Sequence, residues 1–291
     1  GTISPMIEYR SLESVRLAEI VACFNEAFSE YEVPIDMNES IMSTNFAANG
    51  VVPTVSIGAF DGSRLVGFVL NGSREIDGIR TGYDAGTGVV PSRQGHGVAT
   101  KLVARSLERL RATGHRRYLL EVLENNSGAI KVYKNHGFSV KQTYNCFSIS
   151  CSSLVAPINP TVHAVPAAEG PLDASAESDL AAYVRYTPSW QNSGEALRAI
   201  RSSVRVIRVR TAAGGIGIIA LNGENGSLRQ LGWSGADDHA GEEVLRVTAA
   251  TIGAQELRFV NIPDGAVDTN LLLTRLGAKR FVRQFQMVRE L

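Results

Sequence analysis

Cysteine is scarce: Cys23, Cys146 and Cys151 are the only three in 291 residues. They are too few and too irregularly spaced for a disulfide framework or a zinc site. A reduced, cytoplasmic protein with no bound metal is the expectation. No run of 18 apolar residues exists, so no membrane-spanning helix is predicted. The start Gly1-Thr2-Ile3-Ser4-Pro5 also lacks the basic-then-apolar order of a signal peptide. Charge excess is missing as well: Lys and Arg total 29, Asp and Glu total 29, and residues 1–150 hold 15 of each. A polyanion-binding surface usually shows as surplus Lys and Arg, so neither nucleic acid nor membrane is an expected partner. Histidines 96, 115, 136, 163 and 239 show no metal-ligand spacing.

What is present is length and ordinary globular composition, enough for two domains, each with its own core. In the first half a short strand at Ile7–Arg10 precedes a helix over Glu13–Phe28, with Val15, Leu17, Ile20, Val21 and Phe24 at core-facing spacing. A second helix is predicted at Glu39–Ala48. An antiparallel hairpin follows, Thr54–Phe60 and Leu65–Asn71 joined through Asp61-Gly62-Ser63. Gly82–Val90 reads as a strand stopped by Pro91. From Gly97 the period turns helical, with Val98, Ala99, Leu102, Val103, Leu107 and Leu110 on one face. Tyr118–Val122 is then a strand, Ser127–Asn135 a helix ended by Gly137, and Tyr144–Ser150 a strand.

Residues 151–175, with Pro157, Pro160, Pro166 and Pro171, read as a linker between a domain at 1–150 and another at 176–291. The second half repeats the order of the first. At a constant offset of 140, Gly137 falls on Gly277, and Leu120-Glu121-Val122 falls on Val260-Asn261-Ile262. A repeat at that period means one architecture used twice.

The chemistry concentrates between Val90 and the next helix, in Gln94-Gly95-His96-Gly97-Val98-Ala99-Thr100. Glycines let the backbone approach a ligand, and a helix start offers free N–H groups to a phosphate or pyrophosphate. Gly95-x-Gly97-x-x-Thr100, with Glu121 on the next strand, is a near match to a dinucleotide fingerprint. Thr100 and Pro91 depart from that pattern. A second pattern covers more of the chain: Gln94-x-x-Gly97-x-Ala99 resembles the pyrophosphate-binding motif of the GNAT superfamily of N-acetyltransferases, preceded by Val89-Val90-Pro91. Downstream, Asn126-x-x-Ala129-x-x-x-Tyr133-x-x-x-Gly137-Phe138 is similar to that superfamily's last helix and following strand.

The resemblance spans about residues 6–150 and implies a mixed α/β fold. Its mostly antiparallel GNAT-type sheet would be flanked by helices and, given the offset, repeated as two domains. It implies acetyl-CoA as cosubstrate, bound by Gln94, Gly95, His96, Gly97, Val98, Ala99, Thr100, Asn126 and Ala129. Backbone N–H groups at Val89 and Val90 would meet the thioester oxygen, and Tyr133 would be the general acid. A protonated amine must also lose a proton, for which Glu121, Asp84 and Glu124 are candidates, Glu121 foremost. Tyr133 also has i, i+4 core spacing with Ala129, so packing is the alternative role.

At the 140-residue offset, Ser234, Asp237, His239 and Leu273 replace Gln94, Gly97, Ala99 and Tyr133. The second copy is expected to be degenerate and to take no acetyl-CoA. Pro188–Ser193 could face substrate, or could be a helix cap with a packed Trp190. Between Leu17 and Ser63, Glu19, Glu26, Glu30, Glu32, Asp36, Glu39 and Asp61 occur without a basic residue, a charge that would attract a cationic amine. The expectation is an N-acetyltransferase acting by direct attack on a small or exposed amine, with a homodimer possible. The alternatives are a non-catalytic acyl-CoA-binding module and a dinucleotide enzyme.

Overall fold

The computed structural model describes residues 7–30, 36–155, 167–222 and 226–291. Two compact units divide the chain: residues 1–141 with 286–291, and residues 142–285. The first contains β1 (Glu8–Ser11), α1 (Leu17–Ala27), α2 (Glu39–Asn49), β2 (Ile57–Asp61), β3 (Arg64–Ile76), β4 (Ile79–Val89), α3 (Val98–Ala112), β5 (Arg117–Leu123) and α4 (Ser127–Asn135). The strand β6 (Ser139–Ser150) follows, and only its first residues belong to this unit.

In the first unit the sheet runs β1-β2-β3-β4-β5, antiparallel except for the parallel β4–β5 pair. Beyond β5 lies the end of the chain's last strand, β12 (Lys279–Glu290), where the Leu291 N–H donates to Arg116 O at 2.9 Å. The β3–β4 hairpin is longer than the sequence suggested. Its turn is Asp77-Gly78, with φ of +53° and +73°, the left-handed pair that suits the twist of a two-residue hairpin. The α3 face predicted from periodicity is the buried one: Val98, Leu102, Val103, Leu107 and Leu110 lie inside. They meet the sheet next to a core of Ile20, Met42, Phe60, Phe68 and Val90.

The second unit holds the rest of β6, then α5 (Cys151–Val155), β7 (Ala167–Pro171), α6 (Ala174–Tyr183), α7 (Gly194–Ala199), β8 (Val204–Arg210), β9 (Ile216–Asn222) and β10 (Ser227–Trp233). It finishes with α8 (His239–Thr251), β11 (Glu256–Pro263), α9 (Val267–Arg275) and the first part of β12. Its strand order is β6-β11-β10-β9-β8-β7. Phe147, Ile207, Leu231, Trp233, Leu245 and Phe259 form its core. Each unit thus ends its sheet with a strand from the other half of the sequence, and the contact boundary falls at 141, not 150.

The segment read as a linker is partly regular. Residues 151–155 are helical, 167–171 pair with β8, and 156–166 lie outside the described residues. Pro171 is tolerated because β7 is an edge strand, where a missing N–H costs no ladder bond. Among the described residues, no helix is long and apolar enough to cross a membrane.

Candidate active site

Strand β4 carries one extra residue against β3. Leu70 faces Gly86 and Asn71 faces Asp84, which leaves Ala85 as a bulge. A bulge bends its strand and increases the local twist. The consequence is visible on the other edge, where β4 pairs with β5 only over Thr81–Asp84 against Arg117–Leu120. Beyond Asp84 the two strands part, and β4 continues to Val89 paired with β3 alone. The Val90 N–H donates to Val66 O at 3.0 Å and is therefore committed to β3. Alternation then turns the peptide groups of Val89 toward the gap. Its carbonyl accepts from Gln94 Nε2 at 2.9 Å, so the N–H of Val89, and not that of Val90, is the donor the gap exposes.

The loop after β4 is held at both ends. Arg93 ion-pairs with Asp61 at the β2–β3 turn, and Gln94 is tied back to Val89. Gly95 and Gly97 have φ of +74° and +76°, a region other residues enter at a cost of roughly 1–2 kcal/mol. A Cβ at either position would meet nothing within 4 Å. The glycines therefore answer a backbone requirement beside open space. Gly97 is the N-cap of α3; no side chain caps the first turn and no acid lies in it. The first N–H groups of the helix, at Val98, Ala99 and Thr100, have no intrahelical acceptor. His96 is exposed, its Nδ1 2.7 Å from Gln94 O. Asn126 caps α4, its Oδ1 accepting from Ala129 N at 3.1 Å, which leaves its amide N–H₂ for a ligand.

Where β4 and β5 part, two tyrosines each hold a carboxylate. The Tyr133 hydroxyl donates to Asp84 Oδ2 at 3.1 Å, and Asp84 also accepts from Thr87 Oγ1 at 2.6 Å and Gly86 N at 3.0 Å. Asp84 is 7% exposed and Tyr133 8%. Burial pushes the Asp84 carboxyl up despite those three donors, and burial together with the Asp84 charge holds the Tyr133 hydroxyl well above the usual tyrosine range. Tyr83 donates to Glu121. Burial, and secondarily the Asp84 charge, raises Glu121 to about 7, against the hydrogen bonds from Tyr83 and Gln286.

The two pairs occupy opposite sides of the sheet. A Cβ on Gly82 would meet Leu110 of α3, so Asp84, two residues on, shares the α3 side and Tyr83 takes the other. The sequence reading named Asp84, Glu121 and Tyr133 but not Tyr83, whose partnership depends on the β4–β5 register. Tyr133 is packed edge-on against Phe138 at 5.6 Å, with its hydroxyl hydrogen-bonded to Asp84. Two further buried groups of the first unit serve structure. Asn71 bonds Tyr118, Val55 O and Ser106, and burial holds the Cys23 thiol at about 12, unreactive near neutrality. Among the described residues no His, Cys, Asp and Glu cluster could hold a metal.

Three of the acids in the early run are paired with arginines outside it: Glu19 with Arg16, Glu26 with Arg64 at 2.6 Å, and Asp61 with Arg93. Glu32 lies outside the described residues.

The second unit keeps the bulge but fills the rest. In β10 the extra residue is Arg229, and β10 pairs with β11 only over Ser227–Leu228. Asn192 Nδ2 donates to Val260 O at 2.7 Å, and Gln230 Nε2 donates to Asn192 O at 2.6 Å. The segment Pro188–Ser193 is therefore bound to its own strands, with Trp190 buried and Ser193 capping α7. At the start of α8, Asp238 and Glu242 pair with Arg275 at 3.0 and 2.8 Å, and Arg246 binds Glu242 at 2.7 Å. A helix start already occupied by paired carboxylates and arginines leaves no bare N-terminus for a pyrophosphate. Leu273, fully buried, stands where Tyr133 stands in the first unit.

The family model described as Acetyltransferase (GNAT) family matches residues 17–138. No curated protein matches the chain. A solved structure described as a tandem GNAT protein from the clavulanic acid biosynthesis pathway superposes with a TM-score of 0.70 at 12% identity, covering 98% of each chain. A GCN5-related N-acetyltransferase from Sphaerobacter thermophilus gives 0.65 at 13% identity, covering 98% of this chain and 95% of that one. One from Kribbella flavida gives 0.56 at 14%, covering 100% and 72%. The shared fold excludes the doubly wound sheet of a dinucleotide enzyme.

Proposed function

We propose that this chain is a GNAT-type acetyltransferase in tandem form and that its first unit transfers an acetyl group from acetyl-CoA to an amine in a ternary complex. The observation that carries the reading is the gap opened between β4 and β5 by the Ala85 bulge, ending at an uncapped, acid-free helix start. Those residues fit the cosubstrate: the N–H groups of Gly95–Thr100 suit a pyrophosphate, and Asn126 stands at the start of the next helix. Acetyl-CoA supplies the activated acyl group as a thioester.

The residues divide the remaining work. The Val89 N–H donates to the oxygen that gains charge as the amine nitrogen attacks the carbonyl carbon. Glu121, raised to about 7, takes the proton that the amine must lose, directly or through a water. Tyr133 gives its hydroxyl proton to the sulfur as the carbon–sulfur bond breaks, and Asp84, its hydrogen-bond partner, positions that hydroxyl. Acid and base stand on opposite sides of the sheet, which suits a thioester lying in the gap between them. Glu30, Asp36 and Glu39 are the acids of the early run left to draw a cationic acceptor.

The test is a panel of primary amines incubated with acetyl-CoA, read by release of free CoA thiol and by mass of the acetylated product. Turnover with at least one amine, lost in Tyr133→Phe, supports the reading. Tight CoA binding with no transfer to any amine would favour a non-catalytic acyl-CoA-binding module.

A further inference from the structure

The second unit has a cavity that the acetyl-transfer reading does not use. Helices α6 and α7, the stretch from Val184 to Pro188 and strand β10 border a half-open cavity of about 470 Å³, within the roughly 300–1,000 Å³ of small-molecule sites. Leu172, Leu180, Val184, Pro188 and Leu197 line it, with Gln230 and Tyr186 as polar members. Glu177 and Arg198 also line it, and they are paired with each other at 3.2 Å.

Its walls are fixed before any ligand arrives. Asn192 is pinned to Val260 and Gln230, and Ser193 caps α7 at Ala196 N. A preformed site spares the ordering cost of binding. The Tyr186 oxygen accepts from the Leu231 N–H at 3.4 Å, and among the described residues no acceptor takes its own proton. Burial holds that hydroxyl at about 12, so it stays a donor at neutral pH. Glu177 is already held by Arg198 at 3.2 Å and by Arg201 at 3.9 Å, and an ion moved in among the leucines would lose hydration.

We propose that this cavity binds an uncharged, mainly apolar small molecule bearing one acceptor oxygen, a ketone, ester or amide, independently of acetyl-CoA. The apolar lining takes the body of the molecule and the Tyr186 hydroxyl donates to its oxygen.

The test uses the full chain and three probes on one skeleton: 4-phenylbutan-2-one, 4-phenylbutanoate and 4-phenylbutylamine, titrated by calorimetry. The ketone is expected to bind once per chain, with both ions at least about tenfold weaker. Ala181→Trp and Ser178→Trp each place an indole in the cavity from an exposed helix position. Either variant that keeps its melting temperature and CoA affinity should lose ketone binding. Tyr186→Phe should weaken it about threefold to tenfold, the worth of one hydrogen bond. No saturable ketone binding, equal binding of either ion, or unchanged binding in a folded, plugged variant would overturn the proposal.

Discussion

The Tyr133 hydroxyl donates to Asp84 Oδ2 at 3.1 Å, so the proton assigned to the leaving sulfur is hydrogen-bonded in the free protein to a buried carboxylate. Tyr133→Phe keeps the ring against Phe138 and removes only that proton. Single-turnover acetyl transfer should fall by about 10²–10⁴-fold, with acetyl-CoA affinity nearly unchanged. An unchanged rate would return Tyr133 to packing alone.

Asp84→Asn tests the positioning role separately. The Asp84 charge is one of the causes that hold the Tyr133 hydroxyl high, so its removal lowers the tyrosine's pKa. The alkaline limb of the pH–rate profile should move to lower pH, together with a drop in kcat and little change in acetyl-CoA KM. A purely structural Asp84 would leave the position of that limb where it was.

Glu121 predicts an acid limb. With the group at about 7, kcat/KM for the acceptor should fall with unit slope as pH drops below that value, and Glu121→Gln should abolish the limb. Stability follows with a definite sign. The folded pKa lies above the unfolded one, near about 4.3 for glutamate, so the folded state holds the extra proton and stability declines as pH rises from there to about 7. Glu121→Gln should therefore be the more stable protein at pH 8, by up to about 4 kcal/mol. The difference should close in acid, and chemical denaturation at both pH values checks it.

Much of this was legible in the sequence, for stated reasons. The α3 face, the glycine loop and the Asn126–Tyr133 helix are local patterns, and local spacing fixes which residues share a face. The Asp77-Gly78 turn was also written there but was hidden by the polar stretch around it. What local pattern cannot carry is pairing between distant strands. Tyr83 meets Glu121 only through the β4–β5 register, and the end of β12 joins the first unit from the far end of the chain. The acidic run looked unbalanced because it stopped at Ser63, one residue before the Arg64 that pairs with Glu26. That the Val90 N–H is not a free donor likewise follows only from its pairing with Val66.

The most direct measurement is a calorimetric titration of the full chain with CoA, repeated for Gly97→Ala and Gly97→Glu. The account predicts one site per chain, because α8 begins with its own paired carboxylates while α3 begins bare. Gly97→Ala, strained at a φ of +76°, should weaken binding by about fivefold to thirtyfold, in line with roughly 1–2 kcal/mol. Gly97→Glu should abolish it by adding an anion beside the pyrophosphate. Two sites per chain, or affinity untouched by Gly97→Glu, would contradict the assignment of acetyl-CoA to the first unit's loop.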